Sequence, residues 1–291
     1  MRLELENITK YYGKLRALNG FTHALEPGIY ALLGPNGSGK STLMNIIAGN
    51  LGGYSGRILL SKDGEEPRET AKMGAEFRDA LGYMPQYTTL YPTFTVYDFM
   101  WYMAALKGID KRSAAMQIEE ILNSVELWDS RTKQIRALSG GMRQRLALGQ
   151  AVLGDPSILL LDEPTAGLDP IQRVTIKNYI AKIAFNKIVL IATHIVPEVE
   201  YIAREAILLK KGDIIACGPP SDLAAETEGK VWLMETKESE VAGLYGRLNI
   251  VSISKSGDKV ELRVIGDEKP SENAVPAVPG LEDRYLYTFS K

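Results

Sequence analysis

Apolar and polar positions alternate along the opening "RLELENI" (2–8), as in a half-buried β-strand. "GFTHALEPG" (20–28) predicts a second strand ending in a Pro-Gly turn, and "IYALLG" (29–34) a short buried one. "STLMNIIAGNL" (41–51) has helical spacing, "GRILLSKDGEE" reads as strand and turn, and "ALGYMPQ" (80–86) as another strand. From about 92 to 150 the period becomes helical, in "TVYDFMWYMAALKG", "KRSAAMQIEEILNSVEL" and "GGMRQRLALGQAVLG". "SILLLDEP", "KIVLIATH", "EAILLKKG" and "DIIACGP" then predict strands, with the helix "PIQRVTIKNYIAKIA" between the first two. Nearly continuous apolar strands alternating with helices predict an α/β fold, its mainly parallel sheet covered by helices on both faces. The helical block, about 87–150, is an insertion in that layout.

Past about residue 225 the pattern changes. "KVWLMETK", a short helix "ESEVAGLYGRL" and a hairpin "IVSISKSGDKVELRVIG" turning at Gly257-Asp258 predict a small C-terminal αβ subdomain over 226–291. The larger domain is expected to span 1–225. Composition adds exclusions. A net charge of −2 argues against nonspecific binding to nucleic acid, and no nucleic-acid partner is expected. The single cysteine, Cys217, excludes an intrachain disulfide and fits a reducing compartment. "MRLELENITKYYGK" lacks the apolar core of a leader, and the longest apolar stretches fall far short of the ~20 residues of a membrane helix.

The chemistry lies at strand ends. "GPNGSGKST" fits G-x-x-x-x-G-K-[ST] and sits between an apolar strand and a helix. Its glycines Gly34, Gly37 and Gly39, with Pro35, Asn36 and Ser38 between them, leave room for backbone N–H groups to curl around phosphate. Lys40 is expected to reach the β- and γ-oxygens, Ser41 to ligate Mg²⁺ and Thr42 to touch the α-phosphate. Asp162, ending "ILLLD", is placed to hold Mg²⁺, and Glu163 to orient or deprotonate the attacking water. His194 ends the next apolar strand and falls at the same sheet edge. "LSGGMRQR" (138–145) places Ser139, Gly140 and Gly141 at a helix N-terminus, a second anion-binding element in one chain.

These motifs, in this order, resemble an ATP-binding cassette (ABC) ATPase of ABC transporters over about residues 1–220. The resemblance implies a P-loop NTPase cassette with an inserted helical subdomain, binding ATP and Mg²⁺ and hydrolysing ATP. It implies that Ser139, Gly140 and Gly141 cap the γ-phosphate held by a second cassette arranged head to tail. By the same resemblance Gln86 contacts Mg²⁺ or water and senses the membrane partner, Asp169 crosses the dimer seam, and His194 is the switch histidine. Tyr12 is favoured over Tyr11 for stacking on adenine, the alternative being a tyrosine packed on the sheet. Met142 departs from the usual glutamine of the signature.

A permease supplied by another polypeptide is implied, with the cassette peripheral on the cytoplasmic face of the membrane. The insertion's Tyr87, Leu90, Tyr91, Phe94, Phe99 and Trp101 are expected to be mostly core, in a subdomain whose groove receives a coupling helix. "PGLEDRYLYTF" resembles the ending of ABC-2 type exporter cassettes, so export is expected. A soluble non-transport ABC ATPase and an importer cassette remain the alternatives.

Overall fold

The computed structural model describes residues 1–62, 64–87, 89–257 and 259–290. The chain divides into two compact units, Met1–Ile215 and Ala216–Lys291.

In the first unit β1 (Arg2–Tyr12) and β2 (Leu15–Leu25) form an antiparallel hairpin that closes where Tyr12 faces Leu15. The alternation read from the sequence buries Leu3, Leu5 and Ile8. β3 (Gly28–Leu33) leads through the phosphate loop into α1 (Lys40–Ile47), followed by β4 (Ser55–Ser61) and β5 (Arg68–Glu69). Two helices missed by the sequence reading, α2 (Thr70–Met73) and α3 (Ala75–Asp79), are too short to show a period and meet at Gly74, φ +61°. β6 (Leu81–Met84) then precedes α4 (Val96–Leu106), α5 (Lys111–Ser124) and α6 (Gly140–Val152). β7 (Ile158–Asp162), α7 (Pro170–Ile183), β8 (Ile188–Thr193), β9 (Glu205–Lys210) and β10 (Asp213–Gly218) follow.

Among the described residues these strands make two sheets, an antiparallel one of order β2-β1-β4-β5 and a second of order β10-β9-β3-β8-β7-β6. From β9 to β6 every pairing in the second sheet is parallel. Every residue of β7 and β8 is buried, which is why those strands read as unbroken apolar runs. One core runs from Leu3, Leu5 and Ile8 of β1 through Leu43, Met44, Ile46 and Ile47 of α1 to Leu160 and Leu190 of the parallel sheet. α1 is thereby fixed against both sheets. It starts at Gly39, φ +111°, where a Cβ would stand 2.5 Å from the Ala17 carbonyl oxygen.

The helical block forms as read. The Thr95 hydroxyl accepts from the Asp98 N–H to start α4, and Asp110 caps α5 through Arg112 and Ser113. α5 buries Ala114, Ile118, Ile121 and Leu122, one face at helical spacing. The set expected to be mostly core divides. Leu90 and Phe99 are buried and Phe94 and Trp101 half-buried, but Tyr87 is 85% exposed and Tyr91 46%. Tyr91 instead packs on the rings of Phe94 and Tyr102, making a half-open aromatic cluster.

The second unit holds α8 (Pro220–Ala225), β11 (Val231–Lys237), α9 (Glu238–Leu244), β12 (Asn249–Ser256), β13 (Lys259–Ile265), β14 (Val275–Pro276) and α10 (Leu281–Phe289). The division falls at 215/216 rather than the expected 225/226 because α8 belongs with this unit: Glu226, its C-cap, pairs with Arg284 of α10. Its strands pair antiparallel in the order β12-β13-β11-β14. Of the expected hairpin turn, Gly257 has φ +63° and Asp258 lies outside the described residues.

"LEDRYLYTF" is a helix fastened at its start. The Asp283 carboxylate accepts from the Gly280 N–H at 2.7 Å and from Arg263 Nε and Nη2 at 2.9 and 2.6 Å, while Leu281 is fully buried. Asp283 is 2% exposed, so an unpaired carboxylate there would be costly.

Two outcomes are expected. Gly39→Ala forces a side chain against backbone at a left-handed dihedral and should lower unfolding free energy by roughly 2–4 kcal/mol in urea titrations. Arg263→Met should strand Asp283 and cost about 2–3 kcal/mol. Hydrogen exchange should show that loss concentrated in β13 and α10.

Candidate active site

The phosphate loop folds as a bend between a buried strand and a helix, its conformation set by close backbone contacts. A Cβ on Gly34 would lie 2.3 Å from the Leu209 carbonyl oxygen and 2.6 Å from Ser38 Oγ. Gly37 has φ +80°. Lys40 is buried, and its amine donates to the carbonyls of Gly34 at 2.6 Å and Pro35 at 3.3 Å. Burial pulls the Lys40 amine below its usual range, against the opposing pull of Glu163 and Asp162. Ser38 Oγ is buried without a hydrogen-bond partner among the described residues.

A cavity of about 370 Å³ opens here, lined by Asn36 through Thr42, Tyr12, Gln86, Asp162 and Glu163. Gly34 and Pro35 do not line it; they hold Lys40 from behind. Tyr12, 48% exposed, lies on the cavity wall with the Lys10 amine 5.4 Å from its ring centre, whereas Tyr11 is not on that wall. An orphaned hydroxyl, a buried amine and cavity-lining residues at a helix start fit a triphosphate. The Ser41 hydroxyl, Asp162 carboxylate and Gln86 amide oxygen form an all-oxygen donor set, which fits Mg²⁺.

Asp162 ends β7 and is 2% exposed. Burial raises its carboxyl pKa, hydrogen bonding by Ser41 lowers it, and Glu163 and Lys40 push up and down in turn. Glu163 is 5% exposed and sits at φ +52°, in the left-handed region a glutamate rarely occupies. Its N–H donates to the Ala192 carbonyl at 2.8 Å. Its Oε2 accepts from the Thr193 hydroxyl at 3.1 Å, and its Oε1 stands 2.8 Å from His194 Nδ1. An ionised carboxylate only accepts, so Nδ1 carries the proton in this contact and Nε2 is left for another partner.

The other expected site residues stand apart from this cavity. His194, its side chain 54% exposed, meets Glu163 from outside. Ser139 caps α6, accepting from the Met142 N–H at 3.2 Å, and with Gly140 it is exposed; Gly141 is half-buried. The exposed Asp169 caps α7 by accepting from Gln172 N–H at 2.9 Å, with Pro170 in the first turn. None of Ser139, Gly140, Gly141 or Asp169 lines the cavity that Lys40 lines.

Several residues escaped the sequence reading. Leu15, Arg16 and Ala17 line the cavity because the hairpin brings β2 beside Tyr12. The Gly13-Lys14 turn between two alternating segments carried that signal. Tyr87, named only as a member of the aromatic-rich insertion, is also on the cavity wall. Thr193 and Gln144 both bond Glu163, and nothing in their local pattern distinguishes them.

Comparison with known proteins bears on the family. The family profile described as "ABC transporter" matches residues 18–166. The chain is 33% identical over 229 residues to the linearmycin resistance ATP-binding protein LnrL of Bacillus subtilis (strain 168), covering 78% of this chain and 72% of that protein. It is 32% identical over 289 residues to the Nod factor export ATP-binding protein I of Burkholderia orbicola (strain AU 1054), covering 98% and 92%. The structure of cbiO1 from Clostridium perfringens, described as part of the ABC transporter complex cbiONQ, superposes with a TM-score of 0.67 at 28% identity, over 77% of this chain and 90% of that one. Among the described residues no helix is long and apolar enough to cross a membrane. With its phosphate loop, its paired carboxylates and its signature helix set out in this way, the chain belongs to the ABC transporter ATP-binding family and is an ATP-hydrolysing cassette subunit.

Proposed function

We propose that this cassette binds Mg²⁺–ATP, pairs head to tail with a second cassette, and drives a membrane-embedded exporter. One observation carries the reading: Ser139 and Gly140 are exposed at the start of α6 and lie outside the cavity formed by their own chain's phosphate loop. A helix start with unpaired N–H groups draws negative charge, and one that does not serve its own cavity is free to serve another. Asp169, exposed at the start of α7, has the same freedom and is assigned to the seam.

In this reading Tyr12 stacks on the base, and Asn36 through Thr42 with Lys40 hold the phosphates. Ser41, Gln86 and Asp162 would hold Mg²⁺, which when bound would neutralise phosphate charge. Glu163 orients the attacking water and takes its proton. His194 keeps the carboxylate turned through Nδ1, and simultaneous donation from Nε2 to the γ-phosphate would require both ring nitrogens to carry a proton. Charge-assisted hydrogen bonds to the γ-phosphate, each worth about 1.5–3 kcal/mol, hold the pair closed until hydrolysis removes them.

The helical subdomain, about 87–150, is assigned to docking a permease, and the half-open cluster of Tyr91, Phe94 and Tyr102 supports this. Export is supported by relatives named for Nod factor export and linearmycin resistance. The second unit is assigned as an accessory domain. The complex would sit on the cytoplasmic face of the membrane through the permease.

Glu163→Gln is expected to retain ATP binding while turnover falls by about 10²–10⁴-fold. The same variant should run as a dimer with ATP and as a monomer without it in gel filtration. Wild-type turnover by the variant would remove Glu163 from the mechanism, and an ATP-independent monomer would remove the head-to-tail pair.

A further inference from the structure

The helix that begins at Ser139 also reaches back into its own active site. Gln144, in the second turn of α6, donates through Nε2 to the backbone carbonyl of Glu163 at 2.7 Å. That carbonyl already accepts from the Ala166 N–H at 3.2 Å, so the glutamine is not needed to rescue an orphaned acceptor. Its effect falls on the peptide plane that follows a left-handed glutamate. A non-glycine residue at φ +52° stays there only when its surroundings over-determine it. For Glu163 those surroundings are β8, through the Ala192 carbonyl and the Thr193 side chain, His194 just past that strand, and α6, through Gln144.

We infer that Gln144 is a positioning residue that sets the backbone of Glu163, so that α6 links the signature loop to the carboxylate of its own chain. The inference rests on the assignment of Glu163 as the residue acting on water. α6 is suited to carry such a link as a rigid body. Arg145, next to Gln144, is buried and donates to the Val125 and Glu126 carbonyls, which ties the helix to the end of α5. At its start Gly141 packs so closely on the loop after β7 and the first turn of α7 that a Cβ would lie 3.2 Å from Leu168 and 2.9 Å from Gln172 Oε1. A shift of Ser139 on meeting a phosphate therefore moves the donor of the Glu163 carbonyl as well. Gripping the neighbour's nucleotide and aligning the chain's own carboxylate become one movement.

Three variants of the 291-residue chain test this, assayed for ATP hydrolysis and for binding of a fluorescent ATP analogue. Gln144→Met keeps the length and removes the donor. It should lower kcat about tenfold while KM and analogue affinity stay within about twofold. In a Glu163→Gln background the same change should add less than about twofold, because the carbonyl then positions a side chain that no longer acts. Gln144→Glu gives a readout that simple packing would not move. Its carboxylate faces a carbonyl, which raises its pKa above the ordinary glutamate value of about 4.3, and it donates once protonated, so its rate relative to wild type should climb as pH falls from about 7.5 to 5.

Wild-type kcat in Gln144→Met, an undiminished loss in the Glu163→Gln background, or a pH-independent ratio for Gln144→Glu would each overturn the inference. Should Gln144→Met not fold, the pH profile of Gln144→Glu decides. Failure of both to fold would reduce the contact to packing and overturn it too. Wild-type turnover by Glu163→Gln alone would instead overturn the assignment of the carboxylate, whatever Gln144 does.

Discussion

The site depends on three backbone segments meeting with no side chain between them. The Ala17 carbonyl of β2 is approached from one side by Gly39, at the start of α1, and from another by Gly212, in the turn between β9 and β10. A Cβ on Gly212 would stand 2.8 Å from that oxygen. Hydrogen bonds complete the junction, from the Gly212 N–H to the Ser38 carbonyl at 2.9 Å and from the Asn19 N–H to the Gly212 carbonyl at 3.0 Å. Such separations leave room for hydrogen atoms only. The junction locks the antiparallel hairpin to the parallel sheet at the point where the phosphate loop turns into α1. Tyr12, Leu15 and Arg16 consequently stand beside Lys40 although they belong to a different sheet.

Burial at that junction creates an electrostatic problem that the site resolves internally. Lys40 and Asp162 are each withdrawn from water, and each is pushed by burial toward its neutral form. Each also restrains the other, since the amine favours the ionised carboxylate and the carboxylates favour the ionised amine. Glu163 adds a second negative charge to one positive one. A site of this kind is less stable than an apolar packing of equal volume, a common trade of stability for function.

Much of this was legible in the sequence, for identifiable reasons. The strands of the parallel sheet were readable because burial on both faces removes polar residues, as in "ILLLD" and "IVLIAT". The phosphate loop was readable because its glycines answer to sterics, and the residues Lys40, Ser41, Asp162 and Glu163 because they follow those elements directly. Contributions from pairing and tertiary packing were not. Arg16 reaches the cavity only through hairpin register, and Gln144 reaches Glu163 only through the docking of a helix. That Tyr87 and Tyr91 are exposed members of the insertion's aromatic set was not legible, because aromatic density alone does not say which ring faces out. The unit boundary moved because α8 bears on α10, some sixty residues on. "LED", noted for its resemblance to exporter endings, has a local physical role: Leu281 fills the core and Asp283 caps the helix while gripping Arg263.

The left-handed backbone of Glu163 bears on how any substitution there is interpreted. Asparagine, aspartate and glycine tolerate that dihedral, whereas valine, isoleucine and threonine are strained in it before chemistry is considered. A saturation library at this codon therefore sorts variants along two axes at once, proton-accepting ability and conformational tolerance. A dead isoleucine variant is ambiguous between them. A folded but silent asparagine variant speaks to the side chain's chemistry and reach rather than to the backbone.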